Sequence, residues 1–361
     1  MGLTSLKRLA LCGFSLALVT GMRVEAAAPP APAGCEPDGQ LRYVCGLVNP
    51  EDLIRLGDTR WLIASGMDGP LNGGAPARGH VYLVDTAAKT WVDWFPGTAA
   101  TNRHDRTLFG DCPGPVDTTA FSAHGLDLRQ RSPGRFRLYV TGHGAREAIE
   151  VFEVDASGAR PAIAWVGCVV LPANVSANSV VSLPDGGFVT TQFMDRSLPL
   201  NEAFGQVTRG EINGRLYEWH PGGKVEAIAG TELSGANGIV ASADGRTLYV
   251  AAFGSREIVR FERGGGALRK QVVKVDITPD NLRWSPDGKL LAAGGVHVAP
   301  GAPGAGGWAV LEIDPQTLAT RRVASGQRLT GMAAATVGTR VGNEIWVGTY
   351  SGNRIGYVPA Q

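Results

Sequence analysis

A short unit recurs along this chain, made of an asparagine, a β-like run and an Asp-Gly turn. The three copies start at Asn178, Asn237 and Asn281 and end at the turns Asp185-Gly186, Asp244-Gly245 and Asp287-Gly288. Asp-Gly next to alternating apolar residues is a strong signal for a tight turn between antiparallel strands. An amide side chain at the same point of each repeated unit indicates that these side chains converge on one centre.

Short β-like runs also dominate the rest of the chain, because they alternate apolar and polar residues or are rich in β-branched and aromatic residues. They are 61–65, 81–85, 138–141, 149–155, 187–191, 215–219, 247–252, 258–262, 289–293, 309–314 and 344–348. The 50 glycines suit many tight turns, and long amphipathic helical periods are nearly absent. The pattern predicts an all-β fold.

The spacing of the turns favours a β-propeller with loops of unequal length. The turns at 185, 244 and 287 lie 59 and 43 residues apart, which fits propeller blades with insertions. We expect a six-bladed β-propeller as a single domain over residues 29–361. Residues 195–214 are expected to be an insertion, either a hairpin extension or a loop over one face.

The first 28 residues have the pattern of a secretory signal peptide. Lys7 and Arg8 precede an apolar run over 9–20, and small residues near 26–28 offer a cleavage site. That run is too short to span a bilayer, and we predict no transmembrane segment elsewhere. The chain is therefore expected to be periplasmic or secreted. Its net charge of +1, without a basic stripe, argues against a nucleic-acid partner, and its oligomeric state is not predicted.

Four cysteines remain once the leader, with Cys12, is removed. In an exported chain they favour two disulfides, for which three connectivities exist. We favour Cys35–Cys45, which is local in sequence, together with Cys112–Cys168. Four buried thiols are the alternative, and no Cys-x-x-Cys pair or histidine cluster indicates zinc.

Five short motifs occur in an order that is similar to a known superfamily. They are Pro50-Glu51-Asp52-Leu53, His124-Gly125-Leu126, Asn178 before its strand, Ala236-Asn237-Gly238-Ile239 and Asp280-Asn281-Leu282. The chain resembles the paraoxonase/SMP-30/gluconolactonase superfamily of six-bladed, calcium-dependent lactonases and esterases. The Glu-Asp pair and the His-Gly motif are most similar to the paraoxonase (arylesterase) branch.

The resemblance implies a catalytic Ca²⁺ held by five side chains, namely Glu51, Asn178, Asn237, Asp280 and Asn281. The chemistry of these residues agrees with it. Two carboxylates and three amide oxygens are hard ligands that nearly neutralise a divalent cation and leave room for water or substrate. Such ligands also suit Mg²⁺ or Mn²⁺. The alternative is that the asparagines and the aspartate only cap turns.

The resemblance also implies a histidine dyad, His124 and His143, whose 19-residue spacing matches that of the family. A neutral imidazole can take a proton from water as the water attacks a carbonyl, and the second imidazole can orient the first. The alternative is that either histidine has a structural role at a strand end.

A second, structural ion is implied by the same branch, and here the sequence departs from the family pattern. Its ligands would be Asp52, the backbone carbonyl of Leu126 and the residue after Asn178, which is an aspartate in the family and Ser179 here. Losing a carboxylate weakens such a site, so the sequence leaves the second ion open.

The chain also departs from the branch at its termini, which the branch joins by a disulfide. No cysteine follows Cys168 here, so the same disulfide cannot form. Ring closure must then rest on strand pairing. We expect a strand near 44–48 or 52–56 to pair with strands over 344–357.

We predict a hydrolase of lactones or aryl esters, in which calcium polarises the carbonyl and His124 activates water. Loops 67–79, 195–214 and 296–307 would shape the pocket. One alternative is an SMP-30-like sugar lactonase, with Asp280 as base and ligand. Another is a non-catalytic ligand-binding propeller. A condensing role like that of strictosidine synthase is more distant, because that branch lacks the calcium ligands.

Overall fold

The computed structural model describes residues 1–2, 34–69, 77–97, 101–264, 267–298 and 306–361. Most of the predicted leader, including Cys12, lies outside these ranges, as do 70–76 and 299–305 of the predicted pocket loops. Within the described part, nearly all of the regular secondary structure is β-strand, so the predicted all-β fold is confirmed. No helix in this part is long and apolar enough to cross a membrane.

The strands follow one another with a single helix between them. In chain order they are β1 Arg42–Cys45, β2 Pro50–Arg55, β3 Trp61–Gly66, β4 Ala77–Arg78, β5 His80–Asp85, β6 Thr90–Phe95, β7 Thr101–Asn102, β8 Ala120–Ser132, β9 Arg135–Gly144, β10 Ala148–Asp155, β11 Ala162–Val170, β12 Val175–Ser182, β13 Phe188–Asp195, α1 Leu200–Thr208, β14 Leu216–Trp219, β15 Glu226–Ala227, β16 Ala236–Ala241, β17 Thr247–Ala252, β18 Glu257–Glu262, β19 Arg269–Lys274, β20 Ile277–Trp284, β21 Leu290–Val296, β22 Trp308–Ile313, β23 Thr320–Gly326, β24 Gly338–Val341, β25 Glu344–Val347 and β26 Arg354–Pro359. Every β-like run named from the sequence lies in one of these strands or overlaps one.

These strands form six sheets, which we number along the chain. Sheet 1 is β2-β3-β5-β6, sheet 2 is β4-β8-β9-β10-β11-β7, sheet 3 is β12 to β15, sheet 4 is β16 to β19, sheet 5 is β20 to β23, and sheet 6 is β1-β26-β25-β24. Consecutive strands within a sheet are antiparallel, except that the short strands β4 and β7 lie parallel to the edges of sheet 2. Hairpins therefore make most of the connections.

The recurring Asp-Gly turns are confirmed as hairpin turns between the first two strands of sheets 3, 4 and 5. Gly186, Gly245 and Gly288 there have φ angles of 92°, 71° and 78°. Such left-handed backbone is adopted without strain by glycine alone among the common residues.

One strand of each sheet lies innermost, and these inner strands surround a common axis and make a β-propeller. β2, β8, β12, β16, β20 and β24 contact one another in that order, and β24 contacts β2 to complete the ring. β1 pairs with β26, with Arg42 opposite Tyr357 and Cys45 opposite Arg354. Closure by strand pairing is therefore confirmed, and the first of the two predicted segments supplies the strand.

Apolar side chains fill the space between neighbouring sheets. Leu53 and Leu62 of sheet 1, for example, pack with Trp346 of sheet 6, and all three are fully buried. The buried polar side chains are concentrated instead on the inner strands, among them Glu51, Asp52, Asn178, Ser179, Asn237, Asn281 and Arg283. The axis is thus a polar centre within an apolar fold.

The insertion over 195–214 contains a helix, which the sequence analysis did not predict. α1 covers Leu200–Thr208 and buries Ala203 and Val207 against Phe193, Met194 and their neighbours. A helix of nine residues is too short to show clear periodicity. It follows Pro199, which begins it with a suitable φ of −55°.

Both favoured disulfides, Cys35–Cys45 and Cys112–Cys168, are confirmed. The first joins β1 to the segment before it. The second joins β11 to the connection before β8 and closes a loop with a sequence separation of 56.

The Cys112→Ser/Cys168→Ser variant is expected to lose about 4 kcal/mol of unfolding free energy, because longer closed loops restrict the unfolded chain more. The Cys35→Ser/Cys45→Ser variant, with a separation of 10, is expected to lose about 3 kcal/mol. Guanidinium unfolding with and without a reductant measures both. An unchanged free energy of unfolding in the first variant would contradict the expectation.

Candidate functional site

The five sequence motifs lie at the same place in five consecutive sheets. Each falls on a β-bulge in the inner strand of its sheet, where the pairing register shifts. The shifts lie between Pro50 and Leu53, Ala123 and Leu126, Ala177 and Val180, Ala236 and Ile239, and Pro279 and Leu282. A bulge frees residues from the ladder and re-aims their side chains. The asparagines therefore lie inside the strands, whereas the sequence analysis had placed them before the strands.

Glycines in two of these bulges allow neighbouring inner strands to approach closely. A Cβ atom on Gly125 would lie 2.5 Å from the Ser179 Cα, and one on Gly238 would lie 2.5 Å from the Asn281 Cα. No side chain fits at such distances. The His-Gly and Asn-Gly motifs therefore have a packing reason, because the glycine brings the preceding side chain close to the next sheet.

Four side-chain oxygens of the predicted calcium ligands are buried without any hydrogen-bond partner. They are Glu51 Oε2, Asn178 Oδ1, Asn237 Oδ1 and Asn281 Oδ1. Two of the amide nitrogens face neighbours instead, since Asn281 Nδ2 donates to Glu51 Oε1 at 2.6 Å and Asn178 Nδ2 lies 3.4 Å from His124 Nε2. A buried, unpaired polar atom costs about 1–3 kcal/mol, so this group of oxygens requires a cationic or donor partner.

The fifth predicted ligand, Asp280, lies beside this group. It shares the lining of one cavity with Glu51, Asn178 and Asn237, while Asn281 is held against Glu51. Hard oxygens with free lone pairs fit Ca²⁺. Over the described ranges, no cluster of three or more His, Cys, Asp or Glu side chains has metal-binding geometry, because this group has only two carboxylates and is completed by amides.

Burial and the charges of neighbouring carboxylates raise the pKa values of Glu51 and Asp280. Burial, and then the charges of Asp280 and Asp52, hold the pKa of Glu51 well above its usual range. Burial, with a smaller effect of Asp52, raises the pKa of Asp280 to about 8. A divalent cation at this point would favour the ionised carboxylates, so its binding would release protons.

The two histidines of the predicted dyad contact each other, and the contacts continue to a third side chain. His124 Nδ1 lies 2.8 Å from His143 Nε2, and His143 Nδ1 lies 2.9 Å from Glu147 Oε2. A carboxylate accepts hydrogen bonds only, so His143 carries its proton on Nδ1. His143 Nε2 then accepts a hydrogen bond from the Nδ1–H group of His124, which leaves the lone pair of His124 on Nε2.

This lone pair faces the candidate ligands. His124 Nε2 lies 3.7 Å from Glu51 Oε2 and lines the same cavity. Burial, with the neighbouring His143, holds the pKa of His124 well below its usual range. The imidazole is therefore neutral near pH 7, which is the form that can accept a proton.

The cavity has a volume of about 720 Å³. Besides the candidate ligands and the two histidines, its lining is mainly apolar or aromatic: Met67, Ala177, Phe193, Met194, Leu200, Phe204, Phe253, Ala334, Ala335 and Tyr350. Leu200 and Phe204 come from α1, so the insertion over 195–214 contributes to the pocket as expected.

Two of the three residues predicted to bind a second ion form contacts with other protein groups instead. Asp52 accepts hydrogen bonds from the amides of Leu53 and Leu126 at 2.9 and 2.8 Å. The guanidinium of Arg283 contacts both Asp52 and the Leu126 carbonyl. Ser179 Oγ is buried without a partner.

Comparison with known proteins identifies the family. A family profile described as "SMP-30/Gluconolactonase/LRE-like region" matches residues 75–351. The chain belongs to this family. No curated protein matches it significantly in sequence. The membership supports a hydrolase of the lactonase type.

One solved structure shows the same fold as this member of the SMP-30/gluconolactonase family. A luciferin-regenerating enzyme is 15% identical over 87% of this chain and 92% of its own, with a TM-score of 0.51. Regucalcin from Agrobacterium tumefaciens, a calcium-binding protein, is 13% identical over 88% and 92%, with a TM-score of 0.49.

Sequence reasoning missed Glu147 and Arg283. Glu147 follows His143 by four residues, and a carboxylate so close to a predicted catalytic histidine was an available signal. Arg283 follows Asn281 by two residues in β20, and a cation so close to the candidate ligands was an available signal. The remaining histidines are absent from the cavity lining: His80, His104, His220 and His297.

Proposed function

We propose that this protein is an exported, calcium-dependent hydrolase of lactones or aryl esters, built on a propeller with one blade for each of its six sheets. The observation that carries this proposal is the group of four buried, unpartnered oxygens beside the neutral imidazole of His124. Family membership supports the lactonase class. The two disulfides fit a secreted protein, and the export signal is proposed from residues 1–28.

Glu51, Asn178, Asn237, Asp280 and Asn281 would hold the calcium ion. When bound, the ion would supply a positive charge that polarises the substrate carbonyl. His124 accepts a proton from a water molecule at Nε2 as that water attacks. His143 and Glu147 hold the imidazole of His124 in the tautomer whose Nε2 carries no proton. They also stabilise the positive charge that develops on this imidazole.

The walls of the cavity favour an apolar substrate. Phe193, Phe204 and Phe253 offer aromatic contacts, and most of the lining surface is apolar, although Ser176, Asn201, Thr208 and Thr278 also line the cavity. A lactone with an alkyl chain or an aryl ester would therefore bind better than a polyhydroxylated sugar lactone. The sugar lactonase remains the second candidate, because Asp280 lines the cavity and could serve as the base.

The test is hydrolysis of three substrate groups, namely aryl acetates, alkyl-substituted lactones and aldonolactones, before and after treatment with EDTA. We expect turnover of the first two groups, loss of activity in EDTA and recovery on adding Ca²⁺. Full activity in EDTA would exclude the metal mechanism. A preference for aldonolactones would favour the sugar lactonase, and calcium binding without turnover of any substrate would favour the binding propeller.

Glu147→Gln is expected to lower kcat by about 100-fold, because an amide can donate a hydrogen bond to His143 and so support the wrong tautomer. Glu147 also accepts from the Ala177 amide at 2.7 Å and lies 3.3 Å from Arg196. Kinetics over a range of pH would show whether the pKa of the base has moved, which a merely structural defect would not do.

The matched control for this prediction is Glu153→Gln, whose carboxylate binds Arg137 on the same sheet outside the cavity. It should retain the wild-type kcat and pH profile. Equal activity of the Glu147→Gln enzyme and this control would remove Glu147 from the mechanism and leave the dyad.

A further inference from the structure

The guanidinium of Arg283 lies on the propeller axis. Arg283 belongs to β20 of sheet 5, yet its Nε donates to the Leu53 carbonyl of sheet 1 at 2.8 Å. Its Nη2 donates to the Leu126 carbonyl of sheet 2 at 2.9 Å and also contacts Asp52 Oδ2. Sheets 1 and 2 do not neighbour sheet 5 in the ring, so the side chain spans the central channel.

This contact is fully enclosed by protein. Arg283 is 4% exposed, and Asp52 is fully buried. The remaining polar nitrogen, Nη1, donates to the Leu282 carbonyl at 2.8 Å. A buried arginine is stable only when its charge and its N–H groups are matched in this way.

The same oxygens would be needed by a second divalent ion. Asp52 and the Leu126 carbonyl are both engaged by Arg283, and Ser179 contributes a neutral hydroxyl. Asp52 and Arg283 together have no net charge, and the guanidinium does not lose its proton in proteins. A divalent ion here would therefore meet an adjacent permanent positive charge, and the carboxylate of Asp52 is already paired with that charge, so these residues do not fit the ion.

We propose that Arg283 is a built-in cation that occupies the position of a second ion and joins three sheets at the axis, so that the protein binds at most one divalent ion. The limit of one ion does not depend on which ion the candidate ligand group holds. Only the assignment of that ion as calcium rests on the proposed function. By neutralising Asp52, Arg283 also limits the negative charge beside Glu51 and Asp280, so an ion at the first site would need no second ion beside it.

The first test counts calcium in the full-length protein by calorimetry and by elemental analysis after gel filtration. We expect one ion per chain. Two ions per wild-type chain would overturn the proposal. No bound ion would contradict the proposed calcium-dependent hydrolase, whereas it agrees with the limit of one ion set by Arg283.

The second test rebuilds the carboxylate site. Arg283→Ser combined with Ser179→Asp removes the fixed cation and restores the lost carboxylate. The number of bound calcium ions should then rise by one, whatever the wild-type number is. No increase would overturn the assignment of Arg283 to the place of an ion.

The third test measures the contribution of Arg283 to stability. Arg283→Met leaves Asp52 buried without a counter-charge and is expected to lower Tm by about 5–10 °C, with no recovery in calcium. Arg340→Met, which removes a partly buried arginine paired with Glu312 in another part of the fold, is the control. An Arg283→Met variant as stable as this control would overturn the proposal. If Arg283→Met does not fold, the calcium count of the double variant still decides.

Discussion

Replacing Glu51 with glutamine is expected to weaken calcium binding at least about 100-fold, because the candidate site loses one of its two carboxylates. Hydrolysis should fall with the occupancy of the site and recover in part at high calcium concentration. Calorimetry measures the affinity, and kinetics at several calcium concentrations measure the recovery.

The same variant has a second signature that separates loss of metal from loss of fold. Glu51 is buried, and burial raises its pKa, so without metal a neutral glutamine replaces a side chain whose ionised form is disfavoured there. The Tm in EDTA should therefore stay near that of the wild type, while the rise of Tm on adding calcium should disappear. Glu312→Gln, which changes a mostly buried glutamate of sheet 5 that pairs with arginines, should keep that rise. An equal calcium response in both variants would remove Glu51 from the ligand set.

His124→Gln is expected to lower kcat by about 10²- to 10⁴-fold, the usual contribution of a positioned general base. Calcium affinity should change little, because the imidazole is not among the proposed ligands. Measuring kcat together with the calcium-induced shift of Tm tests both statements on the same protein.

The control for this variant is His80→Gln. His80 is also partly buried and paired with a carboxylate, Asp93 Oδ2 at 3.0 Å, but it does not line the cavity. It should keep the wild-type kcat. Full activity of the His124→Gln enzyme would remove His124 as the base, and Asp280→Asn would then test the base of the sugar-lactonase alternative.

Local patterns were sufficient for the strands and turns. Alternating residues predicted the runs that became β3, β5 and β17, and the Asp-Gly pairs predicted three hairpins, because both signals depend on neighbouring residues only. The disulfide Cys35–Cys45 follows from proximity in sequence. Helix α1 was missed because nine residues with a central glycine carry a weak periodic signal.

The candidate site was predictable only in part. The motifs identified Glu51, the asparagines, Asp280 and the histidines as candidates, but their assignment as ligands and base stays a prediction. The bulges that free these residues arise from pairing between strands, and the need for Gly125 and Gly238 arises from the approach of a neighbouring sheet. Neither can be read from a single strand.

By itself, the sequence determined the all-β propeller, the positions of its turns and the chemical character of its centre, because propensity and hydrophobic alternation act over a few residues. The tertiary structure alone decided which side chains meet on the axis. It placed the carboxylate of Glu147 in contact with His143 and the guanidinium of Arg283 in contact with Asp52. Both contacts depend on electrostatics and close packing between elements, and the second joins residues more than two hundred positions apart, so no local pattern could reveal it.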